Sequence, residues 1–444
     1  MSKGLSIAKG ALLLTGVNLF LRAVSTAFQV FLSNRLGAEG LGLLQLTLTV
    51  GYLAMTLGSA GVRVAAMYLT AQEYGRGRPG GVSRVVSCCL QYGLLVSTAV
   101  GLGFYFGADA LASRWVQNVC AADALRVMAA FLPATCLNSV MSGWCTACGR
   151  LGALVSVEIF ERFSGIGLTM VLLRRAADTG AMCSAVMAGS SVSSLLSFLV
   201  LYALFCVQRR LTPPLRGLRV GRRLVRLCVP LAANDCLRAG LSSFEQFLIP
   251  RGLARHSACQ SGLAAYGTIH GMVFPLIMLP ASILYALSDL LVPELSRCAA
   301  GKRHKRIRYL TDRCFRLSSA FALAVAACFY AAGPALGALV YGSADAGYYI
   351  RLFAPMLLFL YLDAIVDGML KGLGQQMHSV RYNTLTSFLD VVGLFFLLPR
   401  LGITGYLISF AVTHLINFFL SVRRLLVVTG YVPNFLPPKT AESG

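Results

Sequence analysis

Apolar runs long enough to cross a lipid bilayer recur along nearly the whole of this 444-residue chain. Inside hydrocarbon every backbone N–H and C=O must be bonded within the protein, which leaves helices and closed barrels as the spanning structures. A barrel is written as weakly alternating segments of about ten residues. The runs here are continuous, and each is close to the roughly 20 residues one helical crossing needs. They are centred near residues 10–33, 42–68, 83–107, 123–147, 152–173, 183–207, 224–249, 264–287, 314–333, 349–370, 380–398 and 402–421. With 57% hydrophobic and 13% charged residues, the chain reads as an all-α polytopic membrane protein of about twelve spans.

One stretch occurs twice. Residues 18–35 read NLFLRAVSTAFQVFLSNR and residues 234–251 read NDCLRAGLSSFEQFLIPR, with eight identities at a constant offset of 216. A second match joins Gly143, Gly149, Val155 and Phe163 to Gly368, Gly374, Val380 and Phe388 at an offset of 225. The polar, Pro-containing segment 208–223 separates six runs from six. An even number per half gives both halves one orientation, so the repeat is parallel. The expected organisation is a six-helix lobe over 1–207, a basic cytoplasmic linker over 208–223, a second lobe over 224–427 and a short tail over 428–444.

A net charge of +22 raises the question of a nucleic-acid partner. With the N-terminus inside, about 25 of the 39 Lys and Arg fall in cytoplasmic segments and about 7 outside. The densest clusters, Arg209–Arg226 and Arg297–Arg313, are both internal on that count. The charge is therefore an orientation signal and a contact for anionic lipid headgroups, and no soluble domain is present to hold a nucleic acid. The reading places both termini on the cytoplasmic side of the membrane. MSKGLSIAKGALLL has a basic start but no small-residue cleavage site, so it reads as the start of a retained first helix. The cysteines lie mostly within spans as small apolar residues, and Trp144-Cys145-Thr146-Ala147-Cys148 lacks the βαβ context of a redox pair.

Charged and polar residues inside the runs carry the functional signal, because an intramembrane charge is costly and usually faces a cavity or a partner. Thr15, Asn18, Arg22, Thr26, Gln29 and Ser33 follow spacings of three and four, with Ser25 alongside, and so form one helical stripe. Asn234, Asp235, Arg238, Ser242 and Glu245 repeat it in the second copy. The stripes read as walls of a hydrated substrate cavity, with interhelical hydrogen bonding as the plainer alternative. Asp235 is placed to neutralise Arg238, whereas Arg22 has no acid on its own helix and is the stronger anion-binding candidate. Arg63 lines the inner mouth or snorkels to the interface.

Glu158 and Arg162 are four apart and can pair on one face, leaving Glu161 unmatched. Asp363 and Asp367 lie one turn apart, and Asn383, Thr386, Ser387 and Asp390 share a face. Close carboxylates can bind a cation or share a proton. Asp363, Asp367, Asp390 and Glu161 are thus candidates for coupling to Na+ or H+, with pairing to Arg351 or Arg238 as the structural alternative. His270 and His414 read as hydrogen-bonded interhelical residues, Tyr341, Tyr348 and Tyr349 as interface anchors, and Pro275 and Pro280 as a kink. No phosphate-binding loop, metal-ligand cluster or large external loop is written in the chain. It is expected to be a monomeric non-enzyme without a cofactor.

RLGAEGLGLLQLTLTVGYLAMTLGSAGV (35–62), LVPELSRCAAGKRHKRIR (291–308) and DGMLKGLGQQMHSV (367–380) resemble the polysaccharide-biosynthesis and stage V sporulation protein B branch of the multidrug/oligosaccharidyl-lipid/polysaccharide (MOP) exporter superfamily. The resemblance covers essentially the whole chain. It implies two six-helix lobes in a V, alternating access, and movement of a lipid-linked oligosaccharide or peptidoglycan precursor across the membrane. It also implies that Arg22, in the local pattern Phe-x-Arg, matches the first-helix arginine of lipid II flippases. The expected substrate is thus an undecaprenyl-pyrophosphate-linked glycan, held by Arg22, Arg238, Asn18, Gln29, Asn234, Glu245 and Arg63. A cation-coupled multidrug exporter is the alternative, although the first helix lacks the acid many drug-exporting relatives use. Many relatives have fourteen helices, which leaves the path of a lipid tail open in a chain of twelve.

Overall fold

The computed structural model describes residues 2–59, 61–211, 220–256, 261–301 and 303–430. Of the basic segments, 212–219 with Arg216 and Arg219 lies outside the described residues, as do Lys302 and the tail from 431. The side chain of Thr15 does too. The described residues form helices joined by short turns. Its first half contains α1 (Ser2–Ser59), α2 (Val62–Gly75), α3 (Pro79–Phe106), α4 (Ala108–Leu111), α5 (Ala122–Ala147), α6 (Leu151–Leu173) and α7 (Thr179–Leu211). There follow α8 (Gly221–His256), α9 (Gly262–Tyr266), α10 (Phe274–Ile277), α11 (Ala281–Ala300) and α12 (His304–Tyr341). The last four are α13 (Ala344–Phe353), α14 (Leu357–Gly372), α15 (Gln376–Leu401) and α16 (Ile403–Thr429).

Eight helical segments among the described residues are long and apolar enough to cross a membrane, or nine if Gly262–Ile277 and Ala281–Ala299 form one bent span. This falls short of the twelve expected, for two physical reasons. α6 and α8 carry charges near their middles: Glu158, Glu161 and Arg162 in one, Asp235, Arg238 and Glu245 in the other. The first crossing segment, Gly16–Ser59, is counted once although it has 44 residues, or about 66 Å at 1.5 Å per residue. It is interrupted at Gly37, whose φ of 68° and ψ of −178° leave the helical region. A side chain is strained at such a φ, so glycine belongs there. The 57° bend at residues 278–280 lies where Pro275 and Pro280 predict it, since proline removes a helical hydrogen bond and crowds the preceding turn.

Contacts divide the chain into two compact units. The first comprises Met1–Leu21, Phe31–Arg251 and Gln260–Gly267, the second Arg22–Val30, Gly252–Cys259 and Thr268–Gly444. The division does not fall within 208–223, because α8 groups with the first unit as far as Arg251. The core of the first unit at the α2–α3 end is built on Trp144, Phe205, Val86, Cys89 and Leu69, and the start of α8 enters it through Leu224 and Cys228.

In lipid, helices are held by close packing and polar contacts rather than by a hydrophobic drive. Small residues accordingly mark the crossings. A Cβ on Gly143 would stand 2.8 Å from the Arg63 carbonyl, tying α5 to α2 in the first unit, and one on Gly165 would stand 2.9 Å from Ser193 Oγ. In the second unit Gly368 and Gly372 lie against α11 at Ser288 and at Val292 and Leu295. Ser288 Oγ donates to the Ala364 carbonyl at 3.1 Å and Ser296 Oγ to the Gly372 carbonyl at 2.8 Å. The second internal match thus recurs in conformation: Gly143 and Gly368 sit at tight crossings, and Gly149 and Gly374 have φ of 71° and 73°.

Candidate functional site

Each unit contains a cluster of polar side chains within its apolar helices. In the second unit, Asp363 of α14 accepts a hydrogen bond from Asn417 Nδ2 of α16 at 2.8 Å. The same amide donates to Asn383 Oδ1 at 3.2 Å, and Asn383 Nδ2 reaches Ser379 Oγ at 3.4 Å. Ser379 Oγ donates to Asp367, whose other oxygen pairs with Lys371 Nζ at 2.6 Å. Asp363 and Asp367 therefore enter one network from opposite ends. Two buried acceptors in it, Asp363 Oδ1 and Asn417 Oδ1, have no hydrogen-bond partner among the described residues. A buried acceptor without a donor is unfavourable unless something else supplies one.

Asp390 belongs to a second polar cluster of the same unit, between α15 and α16. It is buried, and its Oδ1 accepts from Ser409 Oγ at 2.7 Å and Thr413 Oγ1 at 3.2 Å. Gly393 makes room for this, since a Cβ there would run into Ser409 Oγ. The structural alternative of pairing with arginine is not met. Arg351 lies over the Tyr330 ring at 4.8 Å, and among the described residues neither Asp363 nor Asp390 forms an ion pair.

Arg22 also belongs to the second unit. Its guanidinium carbon lies 5.5 Å from the ring centre of Tyr285 on α11, and both side chains are exposed. Thr26 Oγ1 bonds back to the Arg22 carbonyl at 3.1 Å, and Gln29 Nε2 donates to the Gly271 carbonyl at 3.3 Å. These bonds fix this part of α1 within its unit. Tyr285 lies within the electrostatic reach of Arg22, Asp363, Asp367 and Lys371, yet among the described residues Arg22 contacts no carboxylate. A guanidinium held by one face keeps its N–H edge for an anion, and that edge matches phosphate oxygens.

In the first unit, Asn138 of α5 donates from Nδ2 to Glu161 Oε2 at 3.0 Å and to Ser194 Oγ at 3.3 Å. Its Oδ1 is buried without a hydrogen-bond partner among the described residues. Glu158 feels the charge of Arg63, then those of Glu161 and Arg162. The expected Glu158–Arg162 pair does not close to ion-pair distance among the described residues, and Arg63 is exposed. The repeat's second copy also differs from expectation. Asn234 and Arg238 are exposed, Asp235 does not ion-pair with Arg238, and Glu245 lies in the electrostatic neighbourhood of Tyr266. Asn18 is exposed as well, so the stripe on α1 runs from an exposed end at Asn18 and Arg22 to buried Thr26 and Ser33.

His270 meets the Tyr406 hydroxyl at 3.2 Å, as an interhelical histidine should, and His414 packs on Phe410 with ring centres 4.3 Å apart. Tyr341 is not an interface anchor: it is buried, and its hydroxyl donates to the Met272 carbonyl at 2.8 Å. Sequence reasoning missed Asn138, Ser194, Tyr285, Ser409, Thr413 and Asn417. The amides Asn138 and Asn417 stood out as lone polar residues in apolar runs. Tyr285 gave no signal, because an aromatic in a span is ordinary.

Residues 15–171 match the family model described as MatE. The chain is 24% identical to stage V sporulation protein B of Bacillus subtilis (strain 168), over 89% of this chain and 79% of that one. It is 21% identical to sporulation protein YkvU of the same organism, over 89% and 90%. A solved structure of the inward-facing conformation of a multidrug resistance MATE family transporter of the MOP superfamily superposes with a TM-score of 0.72. The identity is 15%, and the match covers 93% of this chain and 96% of that one. At that identity the likeness speaks for the fold alone.

Proposed function

We propose that the chain is a membrane transporter of the MatE/MOP kind, a carrier rather than an enzyme, and that it flips by alternating access a lipid-linked glycan bearing a phosphate or pyrophosphate. The observation that carries the proposal is Arg22: a guanidinium in an apolar helix, seated on an aromatic face with no carboxylate in contact among the described residues. Likeness to two sporulation proteins supports a role in building a cell or spore envelope. On this reading residues 1–207 and 224–427 act as two six-helix lobes joined by the basic segment 208–223. The reading also takes both termini as cytoplasmic, at a bacterial cytoplasmic membrane whose anionic headgroups attract the basic segments. The proposed twelve crossings take α1 as two, the bent pair as one, and α6 and α8 as crossings alongside the other apolar spans of the described residues. Arg22 engages the phosphate, while Arg238, Asn18, Gln29, Asn234, Glu245 and Arg63 remain candidates for the cavity.

A second reading, a cation-coupled multidrug exporter, is favoured by the likeness to a multidrug transporter and by the buried carboxylates. Asp363 is its strongest coupling site, since Oδ1 is buried and without a hydrogen-bond partner among the described residues. Asp390, Asp367 and Glu161, each engaged by neighbours, are weaker. Na+ or H+ coupling is compatible with either substrate. Reconstitution into liposomes separates the two readings. Accelerated exposure of a labelled undecaprenyl-pyrophosphate glycan supports flipping. Saturable ethidium efflux with no acceleration of the glycan would falsify flipping in favour of drug export.

A further inference from the structure

Tyr285 has no role in the expectations drawn from the sequence, yet it is the aromatic ring that meets Arg22. Three observations bear on what it does. The residue is 42% exposed, so its ring is not simply filling a core. Its hydroxyl makes no hydrogen bond among the described residues, so the face and not the phenol is engaged. Its backbone is held firmly: Tyr285, Ser288, Val292 and Ser296 share one face of α11. Ser288 and Ser296 are bonded to carbonyls of α14, and Gly368 and Gly372 bring the two helices into close contact.

The other partner is equally constrained. Gln29 ties α1 to the Gly271 carbonyl two turns beyond Arg22. An arginine on an open helix face otherwise samples many rotamers, and ordering it opposes any binding that needs one of them. An aromatic face attracts the guanidinium plane and leaves its N–H donors pointing outward.

We propose that Tyr285 is a positioning residue for anion binding: it holds the Arg22 guanidinium face-on so that its N–H edge is presented to the phosphate oxygens of the substrate head group. This rests on the flipping reading for the identity of the substrate, but the pairing itself can be examined with an anion alone. Because the ring face is what matters, phenylalanine serves in place of tyrosine, tryptophan serves at least as well, and an aliphatic residue of similar bulk does not.

The experiment uses the full chain purified in detergent, with inorganic pyrophosphate titrated by calorimetry. Tyr285→Phe and Tyr285→Trp are expected to bind within about twofold of the wild type, and Tyr285→Met and Tyr285→Leu about tenfold more weakly. The aliphatic variants should also expose Arg22 to faster modification by phenylglyoxal, read by mass spectrometry. Thermal melting checks that each variant is folded, and Met stands in if Leu is not. The inference is overturned if Met binds like the wild type, if Phe weakens as much as Met, or if the wild type does not bind pyrophosphate. Flipping of the lipid-linked glycan is measured on the same proteins. The expected ranking in binding without any flipping by the wild type sinks the substrate assignment and leaves the positioning role standing. Flipping without that ranking does the reverse.

Discussion

The two copies of the repeated segment share eight residues and almost nothing of their surroundings. In the first copy the middle is engaged: Arg22 lies on Tyr285 and Gln29 donates to Gly271. In the second the middle arginine is exposed and has no ion pair or hydrogen bond among the described residues, and the far end is engaged instead. Arg251 Nη2 bonds to the carbonyls of Arg114 and, at 3.3 Å, Trp115, while the Trp115 ring meets Phe247 at 5.3 Å. Gln246 accepts from Thr49 at 2.5 Å and from the Tyr266 hydroxyl at 3.0 Å. Arg35, the counterpart of Arg251, is exposed. The same eight residues thus meet different neighbours in the two copies: Arg22 an aromatic ring, Arg251 two backbone carbonyls. Even the units are exchanged, since Arg22 groups with the second unit and Arg238 with the first.

The sharpest way to break this contrast is to remove each arginine in turn. Arg22→Ala should slow glycan exposure in proteoliposomes by about 100-fold, the scale of two charge-assisted hydrogen bonds. Arg238→Ala should slow it by less than about threefold, the scale of an exposed charge. Equal losses would mean that the copies act as a symmetric pair.

The two polar clusters differ in the same manner. Both acids accept from an asparagine amide, but Asp363 also retains a buried oxygen without a hydrogen bond among the described residues. Asp363→Asn should reduce the part of transport driven by an imposed Na+ or H+ gradient by about tenfold, and Glu161→Gln by clearly less. Rates with and without the gradient decide it. The reverse order would move coupling to the first unit.

At the far end of the repeat the contrast is one of stability. Arg251→Ala should cost about 1–3 kcal/mol by leaving carbonyls without their donor, read as a lower midpoint of thermal unfolding in detergent. Arg35→Ala should leave the midpoint unchanged. Symmetry should return only where both copies face the same backbone demand. Gly149→Ala and Gly374→Ala should each cost about 1 kcal/mol or slightly more, because both impose a side chain on a left-handed residue. Neither Cβ would meet an atom within 4 Å, so a large difference between them would point to a crowding the structure does not contain.

Much of this was legible in the chain. Long apolar runs dictate helices because lipid offers the backbone no partners, and Pro275 and Pro280 locate the bend. The repeated arginines and the acids of α6 and α14 are conspicuous because charge is expensive in hydrocarbon. What could not be read is who meets whom. Asp363 and Asp367 are one turn apart and look like a pair, yet one turns to Asn417 and the other to Lys371 and Ser379. Asp235 and Arg238 look like an ion pair and do not form one. Spacing along a helix fixes which side chains share a face, but not which rotamers they take or which donor a neighbouring helix brings.

The sequence by itself determined that the chain is a helical membrane protein with a duplicated helix carrying an arginine in each copy, because composition, periodicity and self-similarity are properties of the chain alone. The sequence already set the two arginines apart by placing acids only in the stripe of Arg238; the tertiary structure alone decided the inequality of their partners. That inequality comes from Tyr285, which lies 263 positions beyond Arg22 in the chain and is brought beneath it by contacts of α11 with α14 and of α1 with Gly271. An aromatic ring in a membrane span has no distinguishing mark until folding places a guanidinium on its face.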